Sequence, residues 1–101
     1  MHEIADNLKV LSDPARLRIL KELMGAKQEK HVCVRDLADI LCISQPNVSH
    51  HLKVLKRAGF IYCQKTFEKD QRFAYYKVDR KKIESLFKIV LGSISASPIL
   101  V

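Results

Sequence analysis

Within the ten residues from Ser44 to Lys53 the chain gathers Ser44, Gln45, Asn47, Ser49, His50 and Lys53, and threads the apolar Val48 and Leu52 between them. Val48, Leu52 and Leu55 recur at i, i+4 and i+7, so one stripe of this segment must face a core while the polar groups fill the other side. Gln and Asn side chains can pair with the N6/N7 edge of adenine, Ser is permissive, and Lys53 can reach guanine or phosphate. The chemistry such a set performs is recognition of base edges, not bond making. A polar helix face on its own is usually just a solvated one, so the assignment depends on what surrounds it.

The remaining reactive side chains do not assemble into a second site. His50 and His51 are adjacent, and neighbours on a helix point about 100° apart, so they cannot easily share one metal ion; one is expected to face outward and the other to pack or hydrogen-bond internally. Cys33, Cys42 and Cys63 are an odd set without the density of a disulfide scaffold, which reads as reduced, partly buried thiols in a reducing compartment. Their spacing matches no compact motif such as C-x-x-C, so no cofactor is predicted and a soft metal ion on the thiolates is not supported. With no Gly-rich phosphate loop and no nucleophile arrangement, the chain is not expected to be an enzyme.

The chain has 101 residues, 18 Lys+Arg against 11 Asp+Glu, and a formal net charge of +7. That length fits one domain, 1–101, and a positive field of that size favours a polyanionic partner. Ile83 to Leu91 is interrupted by Glu84 and Lys88, and MHEIADNLK lacks a secretory hydrophobic run. No membrane association and a cytoplasmic location are therefore expected.

Five helices and two to three short strands account for the pattern, a mainly α chain with a small β-hairpin. Residues 3–10 form a short helix with Ile4, Leu8 and Leu11 on one face. Ser12 is positioned to cap a second helix from about Asp13 to Met24, with Pro14 in its first turn, Leu17, Leu20 and Leu23 inward and Gly25 ending it. Ala26 to Lys30 reads as a polar loop, and His31-Val32-Cys33-Val34 as a short strand entering a third helix, Val34 to about Leu41, with Leu37, Ile40 and Leu41 as its stripe. Ser44 and Pro46 then start a fourth helix, from Gln45 to about Ala58, stopped by Gly59.

Two helices joined by so tight a turn make a helix-turn-helix over 34–58. The aromatic and β-branched runs Ile61–Phe67 and Phe73–Val78 make a hairpin over 61–78, with Glu68 to Arg72 as a charged tip. Asp79 caps a last helix from Arg80 to about Leu91, and Gly92 onward reads as fraying. A helix-turn-helix followed by a hairpin is a winged helix. Its second helix enters the major groove by its N-terminal residues, and a tip carrying Lys69 and Arg72 adds backbone or minor-groove contact with little sequence information.

LSDPARLRIL (Leu11 to Leu20), VCVRDLADIL (Val32 to Leu41), SQPNVSHHLKVLKRAGFI (Ser44 to Ile61) and QRFAYYKV (Gln71 to Val78) together resemble the ArsR/SmtB family of winged-helix repressors, over nearly the whole chain. The resemblance implies a homodimer joined by the first and last helices, 1–11 and 80–91, bound to double-stranded DNA at an inverted-repeat operator and released by an inducer. It gives Ser44, Gln45, Ser49, His50 and Lys53 the base-reading and backbone-contacting roles and Arg72 the wing contact. The stripes at Ile4, Leu8 and Leu11, and at Ile83, Phe87, Val90 and Leu91, are more apolar surface than so small a core is expected to cover, which supports the same interface.

On the sensing side the sequence departs from better-known members. Arsenic-responsive relatives carry CVCDL in the third helix; here Cys33-Val34-Arg35-Asp36-Leu37 puts a fixed cation where the second thiol would stand. Zinc-sensing relatives use Asp and His on the last helix, and Arg80 to Leu91 has neither His nor Cys. Cys33 and Cys42, on either side of an eight-residue helix, would lie roughly 12 Å apart, too far for a disulfide without rearrangement. Cys33 and Cys63 come closer if the short strand joins the hairpin, which makes the three thiols candidate sensors. The alternative reading, from another class, is an effector-insensitive architectural or protein-interaction module on the same scaffold.

Overall fold

A computed structural model describes residues 2–25, 32–68 and 71–95, with the backbone alone at 2, 66–68, 71–74 and 95. The order of elements is α1 (His2–Leu11), α2 (Pro14–Gly25), α3 (Val34–Leu41), α4 (Gln45–Arg57), β1 (Ile61–Glu68), β2 (Gln71–Val78) and α5 (Arg80–Ser95). This is a winged helix-turn-helix. The expected loop at 26–30, His31 of the expected strand, Lys69 and Asp70 of the tip, and 96–101 lie outside the described residues.

The turn from α1 into α2 is closed by two side chains with different jobs. Ser12 Oγ donates to the carbonyl of Lys9 at 2.8 Å and so caps the end of α1. Asp13, not Ser12, caps α2: its Oδ1 accepts from the amides of Ala15 at 2.8 Å and Arg16 at 3.1 Å. A carboxylate at this position satisfies orphan amides and complements the helix dipole at once, which a hydroxyl cannot.

Ile19, Leu20 and Leu23 of α2, Leu37, Ala38 and Leu41 of α3, and Val48, Leu52 and Leu55 of α4 meet Phe60, Ile61 and Leu86 in one core. Leu17 and Ile40, expected inward, are 51% and 44% exposed. Ile19 and Ala38 are buried on these helices instead.

Two backbone conformations set the direction of α4. At its start, Cys42 closes α3 in the left-handed region, φ 57° and ψ 41°, where a side chain is uncommon, and the amide of Ile43 returns to the carbonyl of Ala38 at 3.2 Å. At its end, Gly59 takes φ +87°. The amide of Phe60 reaches the carbonyl of Leu55, and that of Gly59 the carbonyl of Lys56, both at 3.0 Å. That is a Schellman termination, and its apolar contact is supplied by Phe60 and Leu55, each fully buried.

β1 and β2 pair antiparallel from Ile61↔Val78 to Glu68↔Gln71. The strands thus run further than expected and leave only 69 and 70 between them, in place of a five-residue tip. The third strand expected at 31–34 does not form among the described residues: Val32 and Cys33 are unpaired, and Cys33 is the extended residue that precedes α3. Asp79 Oδ1 accepts from the amide of Lys82 at 3.2 Å and caps α5 as expected. The helix continues through Gly92 to Ser95, since one interior glycine costs only about 1 kcal/mol. Among the described residues no helix is long and apolar enough to cross a membrane.

Phe60 joins the end of α4 to the start of the hairpin and has no exposed surface. Phe60→Ala is expected to lower unfolding free energy by about 3–5 kcal/mol, measured by chemical denaturation; a loss under about 1 kcal/mol would show that the core does not close on this ring.

Candidate nucleic-acid interface

Ser44 starts α4 with its Oγ accepting from the amide of Asn47 at 3.3 Å, and Pro46 sits in the first turn where it costs no hydrogen bond. The first turn holds no acidic residue, so the positive end of the helix dipole is not neutralised by a side chain of its own helix. Between Asp39 and Glu68 the sequence contains no carboxylate, and it contains Lys53, Lys56, Arg57 and Lys65.

Val48, Leu52 and Leu55 are 0%, 1% and 0% exposed, and this fixes the rotation of the helix. Gln45, Asn47, Ser49, His50 and Lys53 are all exposed, as is Ser44. Gln45, Ser49, Lys53 and Lys56 follow one another at helical spacing along a single outward row. All six predicted side chains of this segment are therefore open to solvent. The side chain of Arg72 and all of Lys69 lie outside the described residues.

The two adjacent histidines part company. His50 is exposed, while His51 is half-buried and its Nδ1 stands 3.3 Å from Nη1 of Arg16. Arg16 also donates from Nε to the carbonyl of Val10 at 2.6 Å, and its Nη1 lies 3.9 Å from Asp13 Oδ2. Asp13 titrates below the usual carboxylate range: the Arg16 amide holds its ionised form, burial opposes this, and the charge of Arg16, the Ala15 amide and His51 add to the lowering. Sequence reading missed Arg16. The available signal was His51 itself, three residues after Val48 and four before Leu55, and so at the edge of the inward stripe where a polar group needs a partner.

The cysteines are spread over three elements. Cys33 and Cys42, expected to be partly buried, are exposed at the two ends of α3, and Cys63 is half-buried on β1; none is in a disulfide. The Cys33 thiol donates to Asp36 Oδ2 at 3.2 Å. Tyr76, opposite Cys63 in the hairpin, has its hydroxyl pKa raised, mainly by burial and secondarily by the Cys63 thiol. Among the described residues no group of three or more His, Cys, Asp or Glu is placed to hold a metal ion.

Helices α1, α2 and α5 border an apolar groove of about 650 Å³, lined by Leu8, Leu17, Met24, Ile83 and Phe87 among others. Phe87 is 50% exposed and Leu91 65%; Ile4, Ile83 and Val90 are half-buried and Leu8 lies at the groove's edge. The exposure of Leu17 is explained here, because it faces this groove and not the core.

A family model described as "Bacterial regulatory protein, arsR family" matches residues 13–62, from the Asp13 cap to the start of β1. An HTH-type transcriptional regulator of Methanocaldococcus jannaschii is 38% identical over 86 residues, which cover 85% of this chain and 89% of that protein. The cadmium resistance transcriptional regulatory protein of Listeria innocua is 36% identical over 81 residues, covering 80% of this chain but 62% of that longer protein. Among solved structures, the homodimeric winged helix-turn-helix DNA-binding domain of a possible ArsR-family transcriptional regulator from Mycobacterium bovis has the same fold. Its TM-score is 0.62 at 23% identity, covering 99% of this chain and 83% of that one.

The depressed pKa of Asp13 has a testable consequence for acid stability. Because the folded value lies below the unfolded one, the carboxylate's contribution is complete above the unfolded pKa and is lost as pH falls through the folded value. Asp13→Asn keeps a capping acceptor and removes the charge. The stability difference between wild type and Asp13→Asn should be complete at pH 7 and shrink as the pH falls through and below the ordinary carboxylate range, as read by urea denaturation across that range; a difference independent of pH would show that the charge contributes nothing.

Proposed function

Because the chain belongs to the arsR family of bacterial regulatory proteins, we propose that it acts as a homodimeric repressor in the cytoplasm. Each protomer lays α4 into the major groove at one half of an inverted-repeat operator, and an inducer releases the dimer. Family members are transcriptional regulators and not enzymes. The observation that carries the reading is the division of α4 into a stripe with no more than 1% exposure and a fully exposed polar face. A helix about 10–12 Å across fits a major groove about 12 Å wide.

Ser44, Gln45, Asn47, Ser49 and His50 stand near the N-terminal half of α4, where a recognition helix meets base edges. Lys53 serves guanine or phosphate, and Lys69 and Arg72 on the wing serve the backbone. The stretch without carboxylates between Asp39 and Glu68 keeps repulsion away from the phosphates. The groove between α1, α2 and α5 is the proposed seat of the second protomer, with Ile4, Leu8, Ile83, Phe87, Val90 and Leu91 at the contact. Its open apolar side chains, and the homodimeric state of the M. bovis domain, support that choice. Cys33, Cys42 and Cys63 are the candidate sensing thiols. They are too dispersed to form one compact ligand set, so sensing by them would act through individual thiols.

Sedimentation should show a dimer, and footprinting with gel-shift competition should show a promoter site preferred by about 10³-fold or more over random DNA. Equal affinity for both would instead favour the architectural module. Gln45→Ala or His50→Ala should each cost about 1–3 kcal/mol of discrimination at one base pair; unchanged discrimination removes that residue from the readout. For sensing, release from the operator by soft metals and thiol reagents is expected to be lost in a variant with all three cysteines replaced by Ser, and a variant that responds like the parent rules the thiols out.

A further inference from the structure

Arg16 connects three helices through one guanidinium. Its side chain is 16% exposed. Nε donates to the carbonyl of Val10 at 2.6 Å, at the C-terminal turn of α1, where carbonyls lack intrahelical partners. Nη2 lies 3.5 Å from the next such carbonyl, that of Lys9. Nη1 reaches His51 Nδ1 at 3.3 Å in the middle of α4. Arginine has only donors to offer, so Nδ1 is the acceptor and the His51 proton sits on Nε2. Asp13 Oδ2 lies 3.9 Å from the same Nη1.

The helices so joined have different tasks in the function proposed above, on which this step rests: α1 borders the dimer groove and α4 faces DNA. We infer that the Arg16–His51 pair is a positioning device that sets where the middle of α4 lies against the dimer-forming helices, and thereby selects the spacing between operator half-sites. His51 belongs to the recognition helix by sequence yet does not read bases.

The geometry gives the effect a usable size. α4 has 13 residues and is about 20 Å long at 1.5 Å per residue. A displacement of the middle of α4 by about 1.7 Å is doubled by two-fold symmetry to about 3.4 Å, the rise of one base pair. A hydrogen bond at the middle of the helix, tied to the end of α1, is thus placed to exclude a register error of one step.

The test uses the full chain and operator duplexes, with the half-sites found by footprinting held at their natural separation or moved by one base pair. Wild type is expected to lose about tenfold or more on either change. His51→Ala should cut that penalty to about threefold or less, while penalties for single-base substitutions inside a half-site stay as in wild type. His51→Gln, which can return an acceptor to Arg16, should restore the spacing penalty; Arg16→Lys, which cannot span both the Val10 carbonyl and His51, should lose it. Thermal melts of each variant distinguish loss of positioning from loss of fold, since a merely structural role would lower stability and all DNA affinity without changing the ratio between spacings. An unchanged spacing penalty in folded His51→Ala overturns the inference, and so does a loss of discrimination inside the half-site, which would make His51 a base reader. If wild type shows no operator preference at all, the proposed function fails first and this inference falls with it.

Discussion

The burial of Val48, Leu52 and Leu55 is the constraint on which the molecule turns. Each is at most 1% exposed, and taking such a side chain out of water contributes about 1.5–3 kcal/mol. Domains of this size are stable by only about 5–15 kcal/mol, so this stripe is a large share of what holds the fold. It also fixes the helix about its own axis. A rotation by one residue, about 100°, would carry Ser49 or Lys53 into the core and lift leucine into water. The polar face is exposed because the apolar one cannot be.

What lies at the two ends of α4 refines that rotation into a direction. A left-handed Cys42 before it and a left-handed Gly59 after it reverse the chain within a few residues, so α3 packs across α4 and the hairpin begins at once beyond Phe60. The charge pattern follows the same geography. Cations crowd the stretch from Lys53 to Lys65 and carboxylates are left to the flanking segments, so a phosphate backbone alongside α4 and β1 meets attraction from that stretch.

Short-range chemistry made most of this legible in the sequence. Ser44 with Pro46, Gly59, and Asp79 each act through backbone groups two to five residues away, and the three-residue stripe of α4 is a strong period, so the helix-turn-helix, the hairpin and α5 could be placed. The failures are of a different kind. Ser12 and Asp13 are both good caps, and only the geometry of the amides of Ala15 and Arg16 decides between them. Leu17 and Ile40 look like core because hydrophobicity says that a side chain avoids water, not which neighbour supplies the shelter. The expected strand at Val32 failed because strand pairing needs a partner edge, which no local pattern specifies. Arg16 was missed because its contact with α4 is made by tertiary folding, and the place of His51 at the edge of the inward stripe was the one local sign of it. Ser44 and the residues Gln45, Asn47, Ser49, His50 and Lys53 of α4 are exposed, while Lys69 and the side chain of Arg72 fall outside the described residues.

The apolar groove is walled by α1 and by α5, the first and last elements in chain order. A polypeptide still being synthesised holds α1 through α4 before α5 has left the ribosome, and at that stage the site has one wall missing. A second protomer seated there, as proposed above, would find both walls only once α5 has been made. A product ending at the hairpin would keep α4 and lack the α5 wall of the groove.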